Sequence, residues 1–148
     1  MEKQILIKET DFERARKKIR ENSKSKIMFS GTDELNRKVL EKEEIAFLLL
    51  NQKGRRDFHK QRNSGFNQVL AKMAKKKGIV IGINLDEIVN SEGKEKSEIL
   101  ARIRQNIKVC NKNKLKMKFV HISETRNIYD LRSLGIVLGM PTIMIKNL

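Results

Sequence analysis

The chain has no tryptophan, one proline, one cysteine and two histidines in 148 residues. The lone cysteine, Cys110, excludes a disulfide framework and a cysteine-based zinc site, and it suits a reducing compartment. No apolar run approaches the ~18 residues of a membrane-spanning helix; the longest candidate, IAFLLL, is far too short. The opening stretch MEKQILIKETDFERARKK mixes acids with bases and has no signal-peptide pattern. The expectation is a soluble, cytoplasmic protein that engages no membrane. Its length fits one domain, residues 1–148, around one core.

Catalytic signatures are equally scarce. GIVIGI and GIVLGMP contain glycines but match neither the dinucleotide fingerprint nor the phosphate-cradling loop. There is no nucleophile elbow. Phosphoesterases built on parallel barrels hold two or three metals with several His and Asp/Glu residues. Here His59 and His121 share no motif, and no carboxylate pair flanks either. His121 reads as a core or strand-end residue. His59 lies in a basic loop, where it can meet phosphate or a base. Cys110 reads as a small buried hydrophobe. No catalytic residue and no metal ligand is assigned. Stacking aromatics, which RNA-binding modules use, are limited to six Phe and Tyr129; Phe58, between Arg56 and His59, is the candidate for exposure. Binding through phosphates and shape, with little base readout, is the expectation.

What the chain has is positive charge in two places. Its net charge is +15. Residues 52–77 carry nine bases against Asp57, residues 94–118 carry nine against Glu95 and Glu98, and the remainder sums to zero. Charge concentrated in this way favours a polyanion, nucleic acid first.

Periodicity predicts alternating strands and helices. Strands are expected at 4–8, 26–30, 44–51, 79–85, 117–123 and 142–146. Thr10 and Glu13 have capping-box spacing and open a basic helix to about residue 21. After the polar loop 52–65, Phe66, Val69, Leu70 and Met73 fall on one helical face, and Gly78 follows as a left-handed cap. DEIVNSEGKEK reads as turn-rich. It leads into a long helix with an apolar stripe of Ile99, Leu100, Ile103, Ile107 and Cys110, from which Arg102, Gln105 and Lys112 point away. A last helix covers 127–138. Strict alternation implies right-handed βαβ units and a parallel sheet, either doubly wound or a barrel. A standard eight-fold barrel needs ~250 residues, so a barrel here is short of parts. Function in either fold sits at the C-terminal ends of the strands, where the loop 52–65 emerges.

Three stretches carry a resemblance: RNSGFNQVLAKMAKKKGIVIGINLDEIVNS, ILARIRQNIKVCNKNKLKMKFVHIS and RNIYDLRSLGIVLGM. In this order and spacing, over roughly residues 60–140, they resemble the archaeal ribonuclease P protein component 3 family. The resemblance implies an α/β fold, a shortened, irregular TIM-barrel-like arrangement of parallel strands similar to polymerase-and-histidinol-phosphatase-type phosphoesterases but without a working metal site. It implies an accessory subunit of ribonuclease P, the ribonucleoprotein that removes the 5′ leader from precursor tRNA. The catalyst would be the ribonuclease P RNA with its Mg2+, and the protein itself would bind no cofactor. Implied partners are that RNA, precursor tRNA in the holoenzyme, component 2 and the other protein subunits. The family's basic residue before the Gly of the SG pair falls on Arg62, its long-helix lysine on Lys108 and its arginine before DL on Arg126. With the bases of the two charged segments, the expected RNA contacts are Arg55, Arg56, Lys60, Arg62, Arg102, Arg104, Lys108 and Arg126. Gln68 stands where the family usually has His, Ile128 where it often has Pro, and the chain stops soon after GM. The alternatives are a stand-alone metal-dependent phosphoesterase-like barrel and a generic basic RNA-binding protein.

Overall fold

Five short strands, each flanked by polar turns, pair in the order in which they occur along the chain. The computed structural model describes residues 2–123 and 125–148. The strands are β1 (Gln4–Lys8), β2 (Lys26–Ser30), β3 (Phe47–Leu50), β4 (Val80–Asn84) and β5 (Met117–Val120). All four pairings are parallel, and the sheet order is β1-β2-β3-β4-β5. Parallel neighbours need crossovers, and these are supplied by α1 (Phe12–Glu21), α2 (Asp33–Lys42), α3 (Gln68–Lys77), and α4 (Leu85–Val89) with α5 (Gly93–Lys112). A doubly wound sheet reverses its strand order once; this one does not. Right-handed crossovers that always step the same way put their helices on one face, which is the winding of a barrel.

The register shows which face that is. Ile7, Phe29, Leu48, Ile81 and Met117 align across all five strands, and all are buried in the main core. Helix residues Ala15, Ile19, Val39, Leu40, Ala71, Ala74, Ile99, Ile103, Ile107 and Cys110 join them there. Replacing a fully buried side chain such as Phe29 with Ala should cost about 3–5 kcal/mol. On the opposite face Leu6, Met28, Phe47 and Val80 align. A hollow of about 240 Å³ there is lined by Gln4 of β1 together with Lys118 and Val120 of β5. First and last strands therefore border one space, as in a sheet curled partway to a barrel. Gly82 sits on this inner face, where a Cβ would meet Val120 Cγ2 at 3.1 Å and Leu49 Cδ1 at 3.2 Å.

Several local expectations are corrected. The sixth strand is instead a helix, α7 (Thr142–Lys146), packed on α6 (Ile128–Val137); TIMIK follows Pro141 and has no strand beside it. α1 is capped by Asp11, whose carboxylate accepts from Arg14 N at 3.1 Å, and not by Thr10. The turn-rich stretch 86–96 is helical at both ends: its start belongs to α4, capped by Asn84, and α5 begins within it at Gly93. Val69 is exposed although it shares a predicted face with buried Phe66 and Leu70. α3 starts only at Gln68, with Asn67 as its cap, so Phe66 is outside its periodicity. Arg102 does not point away from the core: it is 2% exposed.

Candidate nucleic-acid interface

The basic loop leaves the C-terminal end of β3 and is held on three sides before it reaches α3. Glu87, in the first turn of α4, accepts hydrogen bonds from Gln52 N at 2.7 Å and Lys53 N at 3.0 Å. Burial pushes its carboxyl above the usual range, and the two amides only partly oppose that. Arg55 donates from Nη1 and Nη2 to the two oxygens of Asp33, both at 2.7 Å, and from Nε to Asn51 O at 2.6 Å. This bidentate fork ties the loop to the start of α2. The chain then turns at Gly65 with φ of 73°. A Cβ there would collide with the Arg55 guanidinium and lie 2.8 Å from Asp33 Oδ1, so only glycine lets the fork pass.

The third support is α5. Arg102 donates to Asp57 Oδ1 at 2.9 Å, Gln52 O at 3.2 Å and Arg55 O at 2.8 Å. Three donors in a planar fork reach three loop acceptors, a task a lysine cannot perform. Asp57 also accepts from Asn63 N at 2.9 Å. That backbone bond first, and the Arg102 guanidinium next, hold its carboxyl below the usual range. Gln105 Nε2 donates to Ser64 Oγ at 3.2 Å, and Gln52 Nε2 to Ser64 O at 2.9 Å. Further along, Gln68 and Asn113 exchange two amide hydrogen bonds at 2.9 and 3.0 Å, fixing the start of α3 to the end of α5.

This framework sorts the eight expected contact residues. Arg55 and Arg102 turn inward and hold the loop. Arg56, Lys60 and Arg62 stand exposed on it, and Arg104 and Lys108 stand exposed on α5. Arg62, Arg104 and Lys108 line one open groove of about 510 Å³ with Ser97, Ala101 and Gln105. On α5 these positions fall at i, i+4, i+7, i+8 and i+11, a single helical face. Among the described residues, none that lines this groove is acidic. Arg104 and Lys108 are four residues apart, a like-charge spacing that costs an isolated helix about 0.2–0.5 kcal/mol. Arg126 lies elsewhere, exposed beside a small hollow with Asp86, His121 and Ser123. Asp86 accepts from Ile122 N at 3.0 Å and Ser123 Oγ at 2.8 Å, and these bonds, the Ile122 amide first and the Ser123 hydroxyl next, hold its carboxyl below the usual range.

The two charged segments share a surface only in part, at the groove of Arg62, Arg104 and Lys108. The lysines at the end of α3 lie at the opposite end of the sheet, just before β4. There Lys75 Nζ donates to Lys114 O at 3.0 Å and Lys77 Nζ to Glu43 O at 3.1 Å. The lysine-rich helix that precedes a buried strand thus uses its last turn to join elements at the strand N-termini. The acids Asp33, Asp57 and Glu87 were missed by sequence reasoning as site residues. For Asp57 a signal existed: one acid in a stretch of nine bases needs an internal reason.

His59 is exposed, and His121 is half-buried with its Nδ1 lacking a hydrogen-bond partner among the described residues. Burial pushes the Cys110 thiol up to about 12. Among the described residues no group of three or more His, Cys, Asp or Glu is placed to hold a metal ion.

Comparison with known proteins adds a family and relatives. A family model described as RNase P subunit p30 matches residues 5–146. Ribonuclease P protein component 3 of Methanosarcina mazei is 34% identical over 107 residues, which is 72% of this chain and 41% of that protein. The protein of the same description from Methanocaldococcus jannaschii is 27% identical over 121 residues, 79% of this chain and 50% of that one. The chain thus spans half or less of the length of these two relatives. A chain in the cryo-EM structure of archaeal ribonuclease P with mature tRNA superposes with a TM-score of 0.81 at 26% identity, covering 97% of this chain and 62% of that one.

Proposed function

Because the chain belongs to the RNase P subunit p30 family, we propose that it serves as a cytoplasmic protein subunit of ribonuclease P and binds that enzyme's RNA along the groove between its basic loop and α5. The observation that carries this reading is the groove itself: Arg62, Arg104 and Lys108 converge on it, and among the described residues no acid lines it. Guanidinium and ammonium groups held on a rigid helix and a clamped loop present fixed points to successive phosphates. Arg56 and Lys60 extend the positive rim along the loop, and Arg126 makes a separate contact. Arg55 and Arg102 are positioning residues. They set the path of the loop and touch no phosphate.

In this reading the RNA with its Mg2+ cleaves the 5′ leader from precursor tRNA, and the protein stabilises the RNA's active shape. Component 2 and the other protein subunits complete the assembly. Reconstitution should show higher activity with components 2 and 3 together than with either alone.

The direct test is the affinity for ribonuclease P RNA measured against salt. Each phosphate neutralised releases counterions, so Arg104→Ala or Lys108→Ala should flatten the log–log slope by roughly 0.7–0.9. The comparison is a triple variant of Arg14, Lys17 and Lys18 on α1, which should bind like the parent. Equal loss in the triple variant would show a diffuse field in place of a groove.

A further inference from the structure

A second groove of about 430 Å³ opens on the other side of Arg62, between the basic loop and the starts of α2 and α3. We infer that this groove holds one unstacked nucleobase of a single-stranded RNA segment whose phosphates run along the Arg104–Lys108 groove. The inference rests on the RNA-binding reading above and deepens it, and it departs from the expectation of little base readout.

The two grooves share Arg62 and differ in everything else. In the phosphate groove every charged lining residue is a base. In this one Asp33, Glu34 and Arg37 are present. Asp33 is consumed by the Arg55 fork at 2.7 Å, Glu34 lies 3.6 Å from Lys38, and Arg37 lies 3.3 Å from Glu41. Two carboxylates repel a phosphate, and paired charges leave little net field. A neutral, flat and polar-edged group fits that chemistry, and a nucleobase is such a group.

The remaining walls suit it. Phe58 is 62% exposed and lines the groove. An exposed phenyl ring at the rim offers a face on which any base can stack. Gln61 contributes a whole amide group, and Asn63 and Asn67, whose Oδ1 atoms accept from Arg55 Nη1 and Leu70 N, contribute their Nδ2 donors to the edge of a base. Val69 is exposed at the same wall. Arg62 lies at the divide, half-exposed, with one arm 3.4 Å from Asp57. It is placed to hold the phosphate that joins a base in one groove to the backbone in the other.

The test uses the full chain and a fluorescent oligoadenylate of about 12 nucleotides, with one adenine replaced by a purine analogue that dims on stacking. Binding to the parent protein should quench the analogue. Phe58→Ala should abolish the quench and weaken affinity by about 5- to 150-fold, the range for loss of one stacked base, while leaving the salt slope unchanged. Phe58→Tyr should restore both readouts, and Phe58→Leu, apolar but unable to stack, should not. Lys108→Ala should do the reverse, flattening the slope without removing the quench. If Phe58→Ala binds like the parent while Lys108→Ala flattens the slope, the base site is wrong and the phosphate groove stands. If neither variant changes RNA binding, the underlying RNA-binding reading fails as well. If Phe58→Ala leaves RNA binding intact but weakens association with component 2, the groove is a protein contact and the inference is overturned.

Discussion

Two arginines two residues apart on α5 have opposite jobs. Arg102 is buried and bonded to a carboxylate and two loop carbonyls, whereas Arg104 is exposed on the groove. Removing Arg102 strands two acceptors, each at about 1–3 kcal/mol when buried and unsatisfied. Arg102→Ala should therefore lower the urea midpoint clearly, and Arg102→Lys should recover little of it. Arg104→Ala should change stability by no more than about 0.5 kcal/mol while weakening RNA binding. The expectation that both were exposed came from weighing polarity above position. Ile99, Arg102, Ile103, Asn106, Ile107 and Cys110 are spaced i, i+3, i+4, i+7, i+8 and i+11, one complete face, and all six are buried. The spacing was there to be read. What the sequence did not show was that Asp57, forty-five positions away, waited for the guanidinium. The Asn63 amide first, and Arg102 next, also give Asp57 an acid response. The folded pKa of Asp57 lies below its ordinary 3.8. Its ionised form then favours the folded chain at pH values above 3.8, and the contribution is lost as pH falls below that value towards the folded pKa. Denaturation midpoints taken across that interval should fall less for Asp57→Asn than for the parent.

At the scale of elements, alternation of strands and helices was legible because parallel strands buried on both faces are short and apolar, as FLLL and VIGIN are. TIMIK has the same look, and a run of four apolar or β-branched residues does not separate a strand from a helix. Its fate was decided by Pro141 and by α6, where a Cβ on Gly135 would meet Ile145 Cδ1 at 2.7 Å. The loop 52–65 was legible as polar and basic, yet in the structure it is a clamped element in its own right. Gly65 is its keystone. Gly65→Ala would place a side chain at a φ of 73° and against the Arg55 fork. The expected result is a loss of more than about 1 kcal/mol and weaker RNA binding, with helix content by circular dichroism unchanged. Full RNA affinity in this variant would show that the fork does not position Arg62.

For the whole molecule, a net charge of +15 acts on itself as well as on partners. Self-repulsion among the bases opposes the compact state and is screened as ionic strength rises. Raising sodium chloride from about 0.05 M to 0.5 M, where the Debye length falls well below 10 Å, should raise the thermal midpoint of the free protein. The same change should weaken RNA binding steeply. Parallel loss of both would mean that ion pairs such as Arg55–Asp33, and not repulsion, dominate the salt response. The strand order has its own consequence, in time. Each strand pairs with the one made just before it, so the sheet grows at a single edge and no later strand must be inserted between two already placed. A ribosome adding about 5–20 residues per second can therefore deliver β1, then β2, then each following strand to a waiting edge. Synthesis can proceed as assembly, with loop-closure costs kept local at every step.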